Sequence, residues 1–225
     1  MPPSAKPILC YVSDRKSLPA DARGGEAALL EARESAAAAG VDWMQIREKD
    51  LPGARLAALT RAAQERAAQK KTRILVNDRL DVALAAGAGG VHLGEESLPA
   101  EEVVRWLRSA ACARAPQDFL VGVSCHALEA ARAAERAGAD YVFFGPVFAT
   151  PAKALYGAPQ GLARLGEVCR ALQIPVLAIG GITAENAAAC LAAGARGIAA
   201  IRLFQDAADL SDTVRRLRGA GPRGS

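Results

Sequence analysis

Short runs of Val, Ile, Leu and Phe recur along the chain, and each gives way to an alanine-rich stretch whose charged residues fall at helical spacing. The apolar runs predict strands over Ile8–Ser13, Val41–Ile46, Arg73–Val76, Gly90–Leu93, Phe119–Ser124, Tyr141–Phe144, Pro175–Ile179 and Gly197–Ile201. The stretches between and after them predict helices near 25–39, 53–70, 79–87, 99–109, 127–137, 160–172, 184–193 and 206–218. Several of these helices run into a glycine followed by a small or β-branched residue: Gly40, Gly87, Gly138 and Gly194. A glycine just past a helix adopts the left-handed conformation without a side-chain penalty, so each marks a stop that feeds the next strand.

A regular series of eight strand-helix units implies parallel strands, because every helix carries the chain back across the sheet. The economical architecture is α/β, a closed (β/α)8 TIM barrel, whose usual size is about 250 residues. A chain of 225 residues then reads as one domain over 1–225, with a short lead-in at 1–7 and a basic tail at 219–225. An open doubly wound sheet would carry Gly-x-Gly-x-x-Gly after its first strand, whereas this chain has Ser13-Asp14-Arg15-Lys16.

Composition narrows the class of partner. The apolar share of 51% with 23% charged residues suits a water-soluble globular protein. Aromatic residues at 4% leave few rings for bases to stack on, so nucleic acid is not expected as a partner. The net charge of +4 has one basic cluster, Arg215, Arg216, Arg218 and Arg223, which reads as the end of the last helix and a tail. The five cysteines form no Cys-x-x-Cys pair and the histidines number two, so a metal here would be a hard cation on oxygen ligands. The first residues have no signal-peptide pattern and no run reaches the length of a membrane span, which gives a cytoplasmic, non-membrane expectation.

In a barrel the chemistry sits at the C-terminal ends of the strands. Those ends carry, in order, Asp14; Gln45-Ile46-Arg47-Glu48-Lys49-Asp50; Asn77-Asp78-Arg79; His92-Leu93-Gly94-Glu95-Glu96-Ser97; Ser124-Cys125-His126; Gly145 to Thr150, leading to Lys153; Gly180-Gly181-Ile182-Thr183; and Arg202. Gln45 and Arg47 share a strand face, and Lys49 continues it if the strand stays extended. Arginine presents a planar fork to phosphate oxygens and lysine a point charge, which makes this an anion-binding ring for small phosphorylated substrates. The plainer alternative has Arg47 to Asp50 solvating a loop, with Asp50 capping the next helix. Asn77-Asp78 reads equally as a helix cap or as an oxygen-ligand pair for Mg²⁺. The Gly180-Gly181 turn offers unobstructed backbone amides ahead of a helix, suited to phosphate. His92 and His126 read as structural, and Cys125 has no evident activating partner beyond His126.

The ordered motifs Gln-Ile-Arg-Glu-Lys, Val-Asn-Asp-Arg-Leu-Asp-Val-Ala-Leu, Gly-Val-His-Leu-Gly, Gly-Val-Ser-Cys-His, Gly-Pro-Val-Phe-Ala-Thr and Ile-Gly-Gly-Ile-Thr, within residues 8–205, resemble the thiamine phosphate synthase family and its thiazole tautomerase relatives. The resemblance implies a (β/α)8 barrel that joins hydroxymethylpyrimidine pyrophosphate to thiazole phosphate with Mg²⁺. It implies that Gln45, Arg47 and Lys49 hold the pyrimidine and its pyrophosphate, and that Asn77 and Asp78 form the metal-side pair. By the same resemblance Ser124 contacts the pyrimidine, Thr150 and Lys153 belong to the loop that meets the leaving group and the thiazole, and Gly181 meets the thiazole phosphate. Oligomerisation is left open.

The chain departs from the family pattern in three places. Gly94-Glu95-Glu96-Ser97 replaces a run that commonly ends in a second metal-binding aspartate, and Ser97 ahead of Pro99 reads as a helix cap. Ala152 replaces a threonine, and Arg202 stands where a small residue is usual, either contacting phosphate or blocking its pocket. The tautomerase branch carries a histidine directly after the glycine of the sixth strand, where this chain has Pro146. The synthase is therefore the expected activity, with a tautomerase or a non-catalytic phosphate-ligand barrel as the alternatives.

Overall fold

Eight short strands lie side by side, all parallel, and the last returns to pair with the first. In the computed structural model, which describes residues 6–18, 24–65, 72–109, 116, 118–150 and 158–220, they are β1 (Ile8–Val12), β2 (Trp43–Ile46), β3 (Arg73–Asn77), β4 (Gly90–Leu93), β5 (Leu120–Cys125), β6 (Tyr141–Phe144), β7 (Val176–Ile179) and β8 (Gly197–Ala200). The helices that follow them are α1 (Gly25–Ala39), α2 (Gly53–Glu65), α3 (Leu80–Ala85), α4 (Ala100–Leu107), α5 (Leu128–Arg136), α6 (Gly161–Ala171), α7 (Ala187–Ala192), α8 (Arg202–Gln205) and α9 (Leu210–Gly219). This is the closed (β/α)8 barrel that the alternation predicts. Among the described residues no helix is long and apolar enough to cross a membrane.

Strand side chains alternate between two cores, as the twofold period requires. Cys10, Val12, Leu75, Tyr141, Phe143, Leu177 and Ala199 fill the inside of the barrel. Their neighbours Leu9, Tyr11, Met44, Ile46, Ile74, Val76, Val142, Phe144, Ala178 and Ile198 face the helices in a second, larger core. Inside the barrel, bulk on one strand is matched by its absence on the next. Gly122 of β5 stands opposite Tyr141 of β6, and a β-carbon on Gly122 would collide with the Tyr141 ring and hydroxyl. The four predicted glycine stops all have positive φ: 87° at Gly40, 69° at Gly87, 87° at Gly138 and 107° at Gly194.

At the N-terminal ends of the strands, the last helix ties the barrel's seam. Arg218 of α9 donates to the Gly40 carbonyl and to Asp42 Oδ2, each at 2.8 Å, and to the Pro7 carbonyl. Asp42 Oδ2 also accepts from the Leu9 backbone N–H at 2.7 Å.

Several boundaries differ from expectation. β8 ends at Ala200 rather than Ile201, and the chain turns at once into the single helical turn α8. That turn has too few residues to show a period; it is held by packing of Phe204 on Tyr11, with ring centroids 5.8 Å apart, and by a 3.1 Å hydrogen bond from the Tyr11 hydroxyl to Gln205 Oε1. α4 has Pro99 at its cap position with no side-chain cap, so Ser97 does not cap it; Ser97 Oγ instead accepts the Gly94 N–H at 2.8 Å and closes the preceding turn. The predicted end of the second helix, 66–70, and most of the basic tail, 221–225, lie outside the described residues.

Because the Tyr141 ring occupies the space left at Gly122, a Gly122→Ala variant is expected to lose stability by roughly 1–3 kcal/mol through overpacking. A lowered urea midpoint with unchanged m-value checks this, and an unchanged midpoint would show that the barrel interior can yield there.

Candidate active site

The inner layer nearest the C-terminal mouth is polar, and its side chains lie on five successive strands, hydrogen-bonded as one pair and one trio. Gln45 on β2 donates from Nε2 to Asn77 Oδ1 on β3 at 2.9 Å. Asn77 is in register with His92 on β4. The His92 ring lies between two hydroxyls, with Nε2 2.9 Å from Ser124 Oγ on β5 and Nδ1 3.1 Å from the Tyr141 hydroxyl on β6. The imidazole packs on Phe143, with centroids 4.0 Å apart, and Tyr141 in turn packs on Trp43 at 4.8 Å. Burial, with the Arg47 charge nearby, pushes the His92 pKa down from 6.5 to about 3, so the ring is neutral at physiological pH.

A second network fixes the loop after β2. Glu48 is 4% exposed and accepts from Ser13 Oγ at 2.5 Å, from the Arg15 backbone N–H at 3.2 Å and from Arg15 Nη1 at 2.9 Å. Ser13 Oγ accepts the Arg47 backbone N–H at 2.9 Å, so Glu48 holds the residue before it through the end of β1. Asp50 binds both Nη atoms of Arg15, at 2.6 and 2.7 Å, and lies 3.1 Å from Lys16 Nζ. These cations hold its carboxyl well below the usual carboxylate range. Asp50 is therefore spent on the first loop and does not serve the helix that follows. β2 ends at Ile46 and the chain turns, with Leu51 N–H donating to the Glu48 carbonyl at 3.2 Å, so Lys49 is exposed on a turn and does not continue an extended strand.

Asn77 and Asp78 are not helix caps. The cap position of α3 is Arg79, which makes no side-chain cap bond. Asp78 has φ of 66°, a left-handed conformation that aspartate tolerates better than most residues, and its N–H donates to the His92 carbonyl at 2.8 Å. The kink leaves Asn77 bonded to Gln45 while Asp78 is exposed, its carboxylate without a hydrogen-bond or ion-pair partner among the described residues. Among those residues no group of three or more His, Cys, Asp or Glu side chains could hold a metal. Ser97 Oγ is engaged with Gly94, and Glu95 lies 3.7 Å from His126 Nε2. This donor set fits an ion held by one carboxylate together with substrate oxygens, the usual manner of Mg²⁺ at phosphates.

On the other half of the mouth, backbone does more of the shaping. The Gly145–Pro146 peptide is cis, and the loop after β6 is laced to the end of β7 by Val147 N–H to the Ile179 carbonyl at 2.9 Å and Phe148 N–H to the Gly180 carbonyl at 3.0 Å. Gly180 and Gly181 have φ of 92° and 66°, and a β-carbon on Gly181 would come within 2.6 Å of the Ala149 carbonyl oxygen. α7 begins only at Ala187, so the two glycines form a separate turn instead of abutting a helix end. Thr150 is half-buried in the loop after β6. Lys153 and Ala152 lie outside the described residues. Arg202 is exposed at the start of α8. Burial raises the Cys125 thiol to about 12, which keeps it protonated and inert as a nucleophile.

The structure thus places Gln45, Asn77 and Ser124 in one arc of the mouth together with His92, with Arg47 close by. Two contributors are absent from the residues predicted for the site. His92 carries a legible signal, a histidine on the inward parity of a strand, one residue before its end. Glu48 does not, because its partners Ser13 and Arg15 lie more than thirty positions away.

The family model for thiamine monophosphate synthase matches residues 10–204. A putative thiamine-phosphate synthase of Geobacter sulfurreducens is 47% identical over 173 residues, covering 77% of this chain and 78% of its own length. The thiamine-phosphate synthase of Moorella thermoacetica is 42% identical over 195 residues, 87% of this chain and 89% of the relative. Among solved structures, the thiamine phosphate pyrophosphorylase of Pyrococcus furiosus superposes with a TM-score of 0.78 at 31% identity over 95% of both chains. The 3-hexulose-6-phosphate synthase of Salmonella typhimurium, at 17% identity and a TM-score of 0.68, shares the fold.

A ring that is neutral when folded but takes up a proton near pH 6.5 when unfolded opposes folding in acid. The contribution is complete above that pH and is lost as pH falls from 6.5 toward 3, by about 2 kcal/mol at pH 5. Urea unfolding at pH 7 and pH 5 should therefore show a smaller pH-dependent loss in His92→Gln than in the parent; equal losses would contradict the buried neutral ring. Removing the carboxylate in Glu48→Ala leaves the Ser13 hydroxyl and the Arg15 backbone N–H without their acceptor while Arg15 keeps Asp50, and should lower stability by about 1–3 kcal/mol, read from the same denaturation curves.

Proposed function

The chain belongs to the thiamine monophosphate synthase family, and we propose that it joins hydroxymethylpyrimidine pyrophosphate to thiazole phosphate, forming thiamine phosphate and releasing pyrophosphate. The observation that carries this reading is the polar arc of Gln45, Asn77, His92 and Ser124 on four adjacent strands at the barrel mouth, near Arg47. Gln45 donates to Asn77, which leaves the Gln45 carbonyl oxygen to accept from the amino group of an aminopyrimidine and the Asn77 amide NH₂ to donate to its ring nitrogen. Ser124 completes that binding surface. Arg47, with Lys49 on the adjoining turn, holds the pyrophosphate; Lys153 is assigned to the same anion, and Thr150, in the loop after β6, to a contact with the substrates. Gly181 brings backbone close to the thiazole phosphate, and Arg202 is the further cation available to it.

The chemistry asks for charge stabilisation and placement. The C–O bond to pyrophosphate breaks with its electrons leaving on the pyrophosphate, and the resulting pyrimidine cation is captured by the lone pair of the thiazole nitrogen. No proton moves in either step, which agrees with a site whose histidine is held neutral and whose nearby thiol stays protonated. Asp78 would hold Mg²⁺ jointly with the pyrophosphate, and the ion would supply further neutralisation of the leaving group. Pro146, in place of the histidine of the tautomerase branch, favours the synthase.

Purified protein given both substrates with Mg²⁺ is expected to form thiamine phosphate, and chelator to abolish it. Arg47→Ala, Asp78→Ala and Lys153→Ala should each lower turnover by about 100-fold or more while the circular dichroism spectrum is kept. Binding of both substrates without product would favour the non-catalytic barrel, and full activity in any variant would remove that residue from the site.

A further inference from the structure

The mouth contains a buried relay whose hydrogen positions are decided by counting donors. The Tyr141 hydroxyl is fully enclosed, and its hydrogen-bond partner among the described residues is His92 Nδ1. Ser124 Oγ, on the half-buried end of β5, bonds to the opposite ring nitrogen. A charged ring would donate from both nitrogens and leave the enclosed Tyr141 O–H without an acceptor, so the His92 ring carries one hydrogen.

Two arrangements are open to such a ring. If Nδ1 carried the hydrogen, it would donate to the Tyr141 oxygen, and the phenol's own O–H would be left buried without an acceptor. If Nε2 carries it, Tyr141 donates to Nδ1 and Nε2 donates to Ser124 Oγ, so every buried hydrogen has an acceptor. The serine hydroxyl hydrogen is then left over, and Ser124 is the member of the chain with access to the mouth. The ring cannot turn to escape this choice: it is packed on Phe143 at 4.0 Å and bounded by Tyr141 at 5.5 Å.

We infer that Tyr141 fixes His92 as the Nε2–H tautomer, and that this frees the Ser124 hydroxyl hydrogen to donate toward the mouth, to a substrate atom that accepts. His92 and Tyr141 are in this sense positioning residues acting through Ser124. The substrate clause rests on the synthase reading, under which the acceptor is a lone-pair atom of the pyrimidine-bearing substrate. The tautomer does not depend on that reading.

The chain contains two histidines, so the long-range ¹H–¹⁵N spectrum of the uniformly labelled full-length protein is simple to assign with a His126→Gln variant. At pH 7 the His92 cross-peaks are expected to show the Nε2–H pattern, and in Tyr141→Phe to move toward a mixture of tautomers. The same variant should raise KM for hydroxymethylpyrimidine pyrophosphate about tenfold with a smaller change in kcat, since a donor is lost in binding. An Nδ1–H or imidazolium pattern in the parent overturns the inference, as does an unchanged tautomer in Tyr141→Phe; should that variant fail to fold, the parent spectrum decides alone. An Nε2–H pattern in a protein that neither binds nor turns over the pyrimidine substrate would overturn the substrate clause and the synthase reading, and leave the relay standing. An Nδ1–H pattern with normal synthesis would do the reverse.

Discussion

Closing eight parallel strands into a ring leaves an interior only as wide as the side chains that fill it, and the rest of the molecule is arranged around meeting that constraint. Tyr141 fits because Gly122 opposite it has no side chain, and the tyrosine ring then carries Trp43 on one side and His92 on the other. The filled interior is the floor on which the polar groups of the mouth stand. Because Tyr141 both fills the barrel and bonds to His92, packing deep in the interior and hydrogen bonding at the site are properties of one residue. This is how a fold whose stability comes from apolar burial can hold amide and hydroxyl groups in fixed orientation near its surface.

The two halves of the mouth are built differently. From β1 to β5 it is held by side chains: Ser13, Glu48 and Arg15 brace the backbone of Arg47, Gln45 braces Asn77, and His92 braces Ser124. From β6 to β7 it is held by backbone hydrogen bonds between adjacent loops and by glycines that let them approach closely. Planar heteroaromatic recognition suits the first construction, where donors and acceptors must alternate in a set order. Phosphate recognition suits the second, where amides and cations need only surround an anion.

The barrel was legible because its signals are local. Alternating apolar residues marked the strands, and Gly40, Gly87, Gly138 and Gly194 marked helix ends through their own backbone conformation. The site was legible in part for the same reason, since Gln45, Asn77 and Ser124 are inward residues at strand ends. Some of what escaped depends on distant partners, and some on competing local bonds and strand ends. Asp50 and Ser97 resemble helix caps by neighbourhood, yet Asp50 is drawn away by Arg15 and Ser97 by Gly94. The turn of α8 exists because Phe204 packs on Tyr11 from the other end of the chain. Lys49 was placed by parity alone, which fails once β2 ends at Ile46.

The contacts of Arg218 bear on how the molecule assembles. Its guanidinium joins the carbonyls of Pro7 and Gly40 and the carboxylate of Asp42, groups from the start of the chain, while β1 finds its second neighbour in β8. During synthesis the first strand is made earliest and is then left with an open edge until nearly every other element has emerged. Completion of the ring is therefore a late event, and a nascent chain lacking β8 and α9 exposes both the seam and an unpaired strand edge, the kind of surface that chaperones recognise and that promotes aggregation.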